Sequence, residues 1–135
     1  MAKKIIIHSD GGARGNPGPA GIGAILTTES GAVIMEISQY LGETTNNQAE
    51  YRALIAALEK AQELKATEVD CYLDSELVVK QLNREYKVKN ADLAPLFLKV
   101  HNLSLGFSQC KFFHVRRELN KEADKLANQA MDRGD

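Results

Sequence analysis

The chain has 135 residues, with 17 Lys and Arg against 18 Asp and Glu, 44% apolar, 6% aromatic and no Trp. That length suits one domain over residues 1–135, because a chain of this size can bury roughly two-thirds of its surface around one core. A net charge of −1 with 26% charged residues excludes a disordered or collagenous chain and leaves no overall field to draw the protein onto nucleic acid.

No apolar run reaches the roughly 20 residues that span a bilayer, and the start MAKKIIIHSDGG reads as neither signal peptide nor anchor. Cys71 and Cys110 lack CxxC spacing, so two buried thiols in a reducing, cytoplasmic setting are expected, with no membrane partner and a monomeric state. Residues 3–10, KKIIIHSD, predict a central strand ending at Asp10. GGARGNPGPAG predicts a turn, GIGAILTTE a second strand, and AVIMEISQYLG, after the Glu29-Ser30-Gly31 turn, a third, making an antiparallel meander.

At Thr44 the period changes. Thr45, Asn46 or Asn47 caps a helix over Gln48–Leu64, whose apolar stripe runs through Leu54, Ala57, Leu58 and Ala61. Glu68–Asp74 is a strand that ends, like the first, in an acid. The intervening helix makes a crossover, so Asp10 and Asp74 are both expected at strand carboxyl ends, where open α/β sheets place their sites. Ser75 caps a short helix to Leu82, and Asp92 begins another over Leu93–Leu103, with Pro95 in its first turn. Gln109–Val115 is a fifth strand and Asn120–Met131 a last helix with an apolar face of Ala123, Leu126, Ala127, Ala130 and Met131. The order predicts an α/β domain with a mixed five-stranded sheet.

Four acids are placed oddly for solubility alone. Asp10 and Asp74 end core strands, Glu50 lies in line with Leu54, Ala57 and Ala61, and Asp124 borders the apolar stripe of the last helix. Each one singly reads as a cap, a turn residue or a dipole partner. Together they would repel unless a cation neutralises them, and all-oxygen ligation suits Mg²⁺ or Mn²⁺, with room for two ions.

SDGGARGNPGPAGIG around Asp10, TTNNQAEYRALIAAL around Glu50, LDSELVVKQLN around Asp74 and HVRRELNKEADKLAN around Asp124 resemble ribonuclease H of type 1, in order and over essentially the whole chain. The resemblance implies the ribonuclease H-like fold, three antiparallel then two parallel strands with helices on both faces. It also implies an endoribonuclease that hydrolyses the RNA strand of RNA–DNA hybrids by two-metal-ion catalysis, giving 5′-phosphate and 3′-hydroxyl ends. Asp10, Glu50, Asp74 and Asp124 carry over as catalytic residues holding two Mg²⁺ ions, with Mn²⁺ a substitute and Asp10 bridging both. Gly12, Asn16, Asn46, Gln48 and Glu76 carry over as groove-lining residues that sense the 2′-hydroxyl, and Thr45 as a neighbour of a DNA phosphate. Asn16 and Asn46 equally read as a turn residue and a helix cap.

The glycine-rich stretch over 11–23 lacks the GK[ST] of a Walker loop and opens no helix, so it reads as a hairpin connection. Two departures from the family stand out. The long basic segment of many members is reduced to NREYKVKN, offering Lys80, Arg84, Lys87 and Lys89, which predicts weaker and more salt-sensitive hybrid binding. The loop His of several members is missing. His114 reads as a strand residue near the site, while Arg116 or Arg117 is an auxiliary candidate at the scissile phosphate. His8 alternates onto the side of Asp10 and reads as a core or supporting residue, and Phe112 and Phe113 as packing. The competing readings are an inactive module that binds hybrid or double-stranded RNA, and a calcium-holding protein, against which stands the lack of an EF-hand loop.

Overall fold

The computed structural model describes residues 3–135. Its elements are β1 (Lys4–Ala13), β2 (Gly18–Thr27), β3 (Val33–Thr44), α1 (Asn46–Glu63), β4 (Glu68–Leu73), α2 (Glu76–Leu82), α3 (Ala94–Ser104), β5 (Gln109–His114), a 3-10 turn (Arg117–Leu119) and α4 (Lys121–Arg133). The five strands form one sheet ordered β3-β2-β1-β4-β5. The first three pair antiparallel, and β4 and β5 run parallel to β1.

Alternation along the strands assigns the faces. Ile5 and Ile7 of β1, Ala24 and Leu26 of β2, and Val69 and Cys71 of β4 meet Leu54, Leu58 and Ala61 of α1 in the main core, which Val78 of α2 and Val100 of α3 extend. The apolar stripe of α1 thus buries against strands that are hydrophobic on that side, the largest source of stability in a domain of this kind. The opposite face of β2 is paved by Gly21 and Gly23. A Cβ at Gly21 would lie 3.1 Å from the Ala130 methyl, and one at Gly23 would lie 2.5 Å from the Ala127 nitrogen. Backbone-close packing of α4 on β2 therefore requires glycine at these positions. Ser38 donates to the Leu126 carbonyl at 2.6 Å, and Arg133 to the Ser38 carbonyl at 2.9 Å, tying α4 to β3 as well. Helices lie on both faces, as expected.

Several boundaries differ from the sequence reading. Pairing of β1 with β4 stops at Ser9 and Leu73, yet pairing with β2 continues to Ala13 and Ala20. Gly11 and Gly12 are therefore strand residues, and the predicted turn shrinks to residues 14–17, with Gly15 at φ 101°. Among the three cap candidates, Thr45 caps α1: its side chain accepts from the Gln48 N–H at 3.2 Å. Asp92 does not begin α3, which starts at Ala94 without a side-chain cap; the Asp92 N–H bonds the Asn90 side chain at 2.7 Å instead. Cys71 is fully buried, and burial beside the Cys110 thiol pushes its own thiol up, but Cys110 is only half-buried. Among the described residues no helix is long and apolar enough to cross a membrane.

Candidate active site

The point where β4 leaves β1 is also where the acids converge. Asp10 lies one residue beyond the last β1–β4 pair, and Asp74 follows Leu73 directly, so both strands deliver a carboxylate to the same edge. Asp74 leads into Ser75, whose hydroxyl accepts from the Val78 N–H at 3.3 Å and starts α2. Buried Tyr51 donates its hydroxyl to Gln81 at 2.7 Å, which fixes α2 to α1 and so relates Asp74 to Glu50. Gly11 lacks the Cβ that would strike the Ala49–Glu50 backbone, and its N–H donates to Glu50 Oε1 at 3.2 Å.

Asp10, Glu50 and Asp74 each offer a carboxylate oxygen, all within 4.8 Å of one another. Asp124, in the first turn of α4, lines the same cleft of about 400 Å³ and adds to the negative charge at Asp10. Asp10 and Glu50 are buried at 7% and 6% exposure, which costs a lone carboxylate several kcal/mol in a low-dielectric setting (about 1–5). Burial, opposed next by the Glu50 side chain and then reinforced by the Asp74 charge and by Asp124, raises the Asp10 carboxyl to about 7. Glu50 is pushed well above the ordinary carboxylate range by burial and by Asp10 beside it, with the Gly11 N–H opposing. Its second oxygen, Oε2, is buried and has no hydrogen-bond partner in the protein. An all-oxygen set of crowded carboxylates, one with an orphaned buried atom, fits a hard divalent cation.

The groove candidates divide. Gly12 and Asn46 line the cleft. Asn16, Thr45, Gln48 and Glu76 do not, and each has a partner within the protein. Asn16 accepts from the Asn46 N–H at 3.0 Å while Asn46 accepts from the Ala13 N–H at 2.8 Å, a reciprocal clamp between the β1–β2 hairpin and α1. Thr45 caps α1, Gln48 bonds the Thr44 hydroxyl at 2.6 Å, and Glu76 pairs with Lys80 at 3.2 Å. Asn46→Ala is expected to cost about 1 kcal/mol in urea denaturation, because the Ala13 N–H loses its acceptor.

Of the auxiliary candidates, Arg117 lines the cleft, whereas exposed Arg116 pairs with Glu118 at 3.6 Å and exposed His114 ends β5 outside the cleft lining. His8 is not among the residues lining the cleft. It stacks on Tyr72 at 5.1 Å between ring centroids, Tyr72 stacks likewise on Phe113, and burial lowers the His8 pKa. Arg14, Asn128 and Asn120 escaped the sequence reading. Arg14 lines the cleft and pairs with Asp132 at 2.7 Å, while Asn120 reaches Asp74; only the structure brings such distant partners together.

Comparison with known proteins agrees with this arrangement. The family model described as reverse transcriptase-like matches residues 8–130. A bifunctional protein of Mycobacterium tuberculosis is 47% identical over 96% of the chain, which spans only 36% of that relative's length. A ribonuclease H of Chlorobium phaeobacteroides is 37% identical over 97% of both chains. The crystal structure of RNase H1 from Halobacterium salinarum superposes with a TM-score of 0.94 at 40% identity, covering 96% of this chain and 98% of that one. The structure of LC11-RNase H1 in complex with RNA/DNA hybrid gives 0.92 at 48% identity, covering 96% and 97%. With a frame superposing this closely and full-length likeness to a named ribonuclease H, the chain belongs to the ribonuclease H family.

Proposed function

We propose that the protein is a divalent-metal-dependent endonuclease that hydrolyses the RNA strand of RNA–DNA hybrids. The observation that carries this reading is the convergence of Asp10, Glu50 and Asp74 to within 4.8 Å in a cleft that Asp124 also lines. The solved hybrid complex of the similar LC11-RNase H1 supports the substrate class.

Asp10, Glu50, Asp74 and Asp124 would hold two Mg²⁺ ions, with Mn²⁺ as a substitute. When bound, such ions supply an activated water and offset the charge that builds on the phosphate and the departing 3′-oxygen. The protein's own part is positioning. Rigid strand ends fix Asp10 and Asp74, the Gly11 N–H fixes Glu50, and Arg117 brings a positive charge to the rim for the scissile phosphate. Gly12 offers close backbone approach, and Asn46 keeps its amide N–H₂ for a 2′-hydroxyl, since its Oδ1 is engaged by Ala13. Asn16, Thr45, Gln48 and Glu76 contribute at the groove margin, the first two by holding the hairpin and α1 in place. Cleavage in this sense leaves 5′-phosphate and 3′-hydroxyl ends.

A module that only binds hybrid gains nothing from crowding carboxylates beside phosphates. Cleavage assays on matched hybrid, double-stranded RNA and double-stranded DNA, each with Mg²⁺ or Mn²⁺, decide the matter. Shortening of the RNA in the hybrid alone, or in hybrid and double-stranded RNA, is the expected result. Retarded but intact hybrid under all conditions would replace the enzyme reading with the binding one.

A further inference from the structure

Asn120 is 1% exposed. Its position before α4 invites a capping role, yet its side chain makes no cap hydrogen bond. Instead Nδ2 donates to the Ser9 carbonyl at 2.9 Å and makes a longer contact of 3.5 Å with Asp74 Oδ2. Its own carbonyl accepts from the Asp124 N–H at 3.1 Å. One residue therefore touches the residue before Asp10, the Asp74 carboxylate and the turn that carries Asp124.

The orientation of the amide is forced. Both neighbours of Nδ2 are acceptors, so a flipped amide would set oxygen against oxygen. Oδ1 is buried without a partner in the protein. A buried amide with only one end bonded is a poor device for stability alone, because the orphaned oxygen offsets much of what the donor gains. A Lys or Arg in this place would also hold Asp74, but its charge would compete with a divalent cation for the same carboxylate. A neutral donor does not.

We propose that Asn120 is a positioning residue that holds the Asp74 carboxylate and the first turn of α4 in register with Asp10, so that the carboxylates are arranged for divalent cations before substrate arrives. The proposal rests on the reading that these acids hold such ions.

The test uses the full chain and its Asn120→Ala and volume-matched Asn120→Leu variants. Mn²⁺ binding to substrate-free protein is measured by titration calorimetry, and Mg²⁺ dependence by hybrid cleavage. Both variants are expected to bind Mn²⁺ roughly five- to tenfold more weakly and to need correspondingly more Mg²⁺, with KM for hybrid within about twofold and the rate largely restored at saturating Mg²⁺. A wild-type measurement does not depend on the variants folding: the Asn120 side-chain amide resonances should shift during Mg²⁺ titration, with the same midpoint as metal binding. Folded variants with wild-type Mn²⁺ affinity, or an Asn120 amide signal that Mg²⁺ leaves unmoved, would overturn the proposal. Wild-type protein that takes up no Mn²⁺ and cuts no hybrid would instead overturn the reading beneath it.

Discussion

Replacing Asp10 by Asn is expected to stabilise the metal-free protein at pH 8 while abolishing cleavage. Burial and the neighbouring acids lift the Asp10 carboxyl to about 7 in the folded chain, from an ordinary 3.8. A carboxyl raised in this way favours the fold in its protonated form, so its contribution is complete below about pH 4 and fades as pH climbs through about 7. The loss by pH 8 has a ceiling of about 4 kcal/mol, since each tenfold change in proton affinity corresponds to about 1.4 kcal/mol. Asn cannot ionise and avoids it. Calorimetry in EDTA should therefore give Asp10→Asn a higher midpoint at pH 8, by at most roughly 14 °C, and one close to wild type at pH 4. Saturating Mg²⁺ should narrow the gap, because ions that bind only native wild-type protein stabilise it by mass action. Equal midpoints at pH 8 without metal would contradict the electrostatic account of the cleft. Cleavage at the wild-type rate would remove Asp10 from the catalytic machinery.

Gly11→Ala should act in the opposite direction. The added methyl would lie 2.7 Å from the Glu50 nitrogen and nearer still to the Ala49 carbonyl, both backbone atoms at the start of α1. Backbone cannot swing aside as a side chain can, so α1 must withdraw from β1 along this contact. Overpacking of this kind costs about 3 kcal/mol or more at a rigid position. The shift also breaks the Gly11 bond to Glu50 and displaces a carboxylate from the cleft, for which about a hundredfold loss of cleavage is expected. Gly31→Ala is the matching control. Gly31 sits at φ 94° with nothing within 4 Å of an added Cβ, so it should show only a backbone strain of about 1 kcal/mol and full activity. Urea denaturation and hybrid cleavage of both variants separate crowding from conformational strain.

Much of this arrangement is legible in the linear chain, because its signals are local or periodic. The stripe of α1, the acids closing two apolar runs and the Ser75 cap each reflect a rule acting over a few residues. What escapes the sequence depends on long-range partners. Gly11 and Gly12 read as turn residues, yet β2 goes on pairing with them after β4 has ended. Asp92 has the chemistry of a helix cap, but a local bond to Asn90 draws its N–H away. Asn120 reads as a mere helix start, since its two partners lie 111 and 46 residues away. Among the groove candidates, Asn16 and Asn46 are of the right type for a substrate and are also spent on each other's segments.

The unequal closure of the sheet has a mechanical consequence. Three helices seal the apolar core on one side, whereas α4 alone rests on the glycine pavement of the other, buried chiefly through Ala123, Ala127 and Ala130. Small side chains give up little oily surface to water when they part, so α4, although tied to Ser38, is expected to open at a lower free energy than α1. Its amide protons should then exchange with deuterium sooner than those of α1, and divalent cations should slow them selectively.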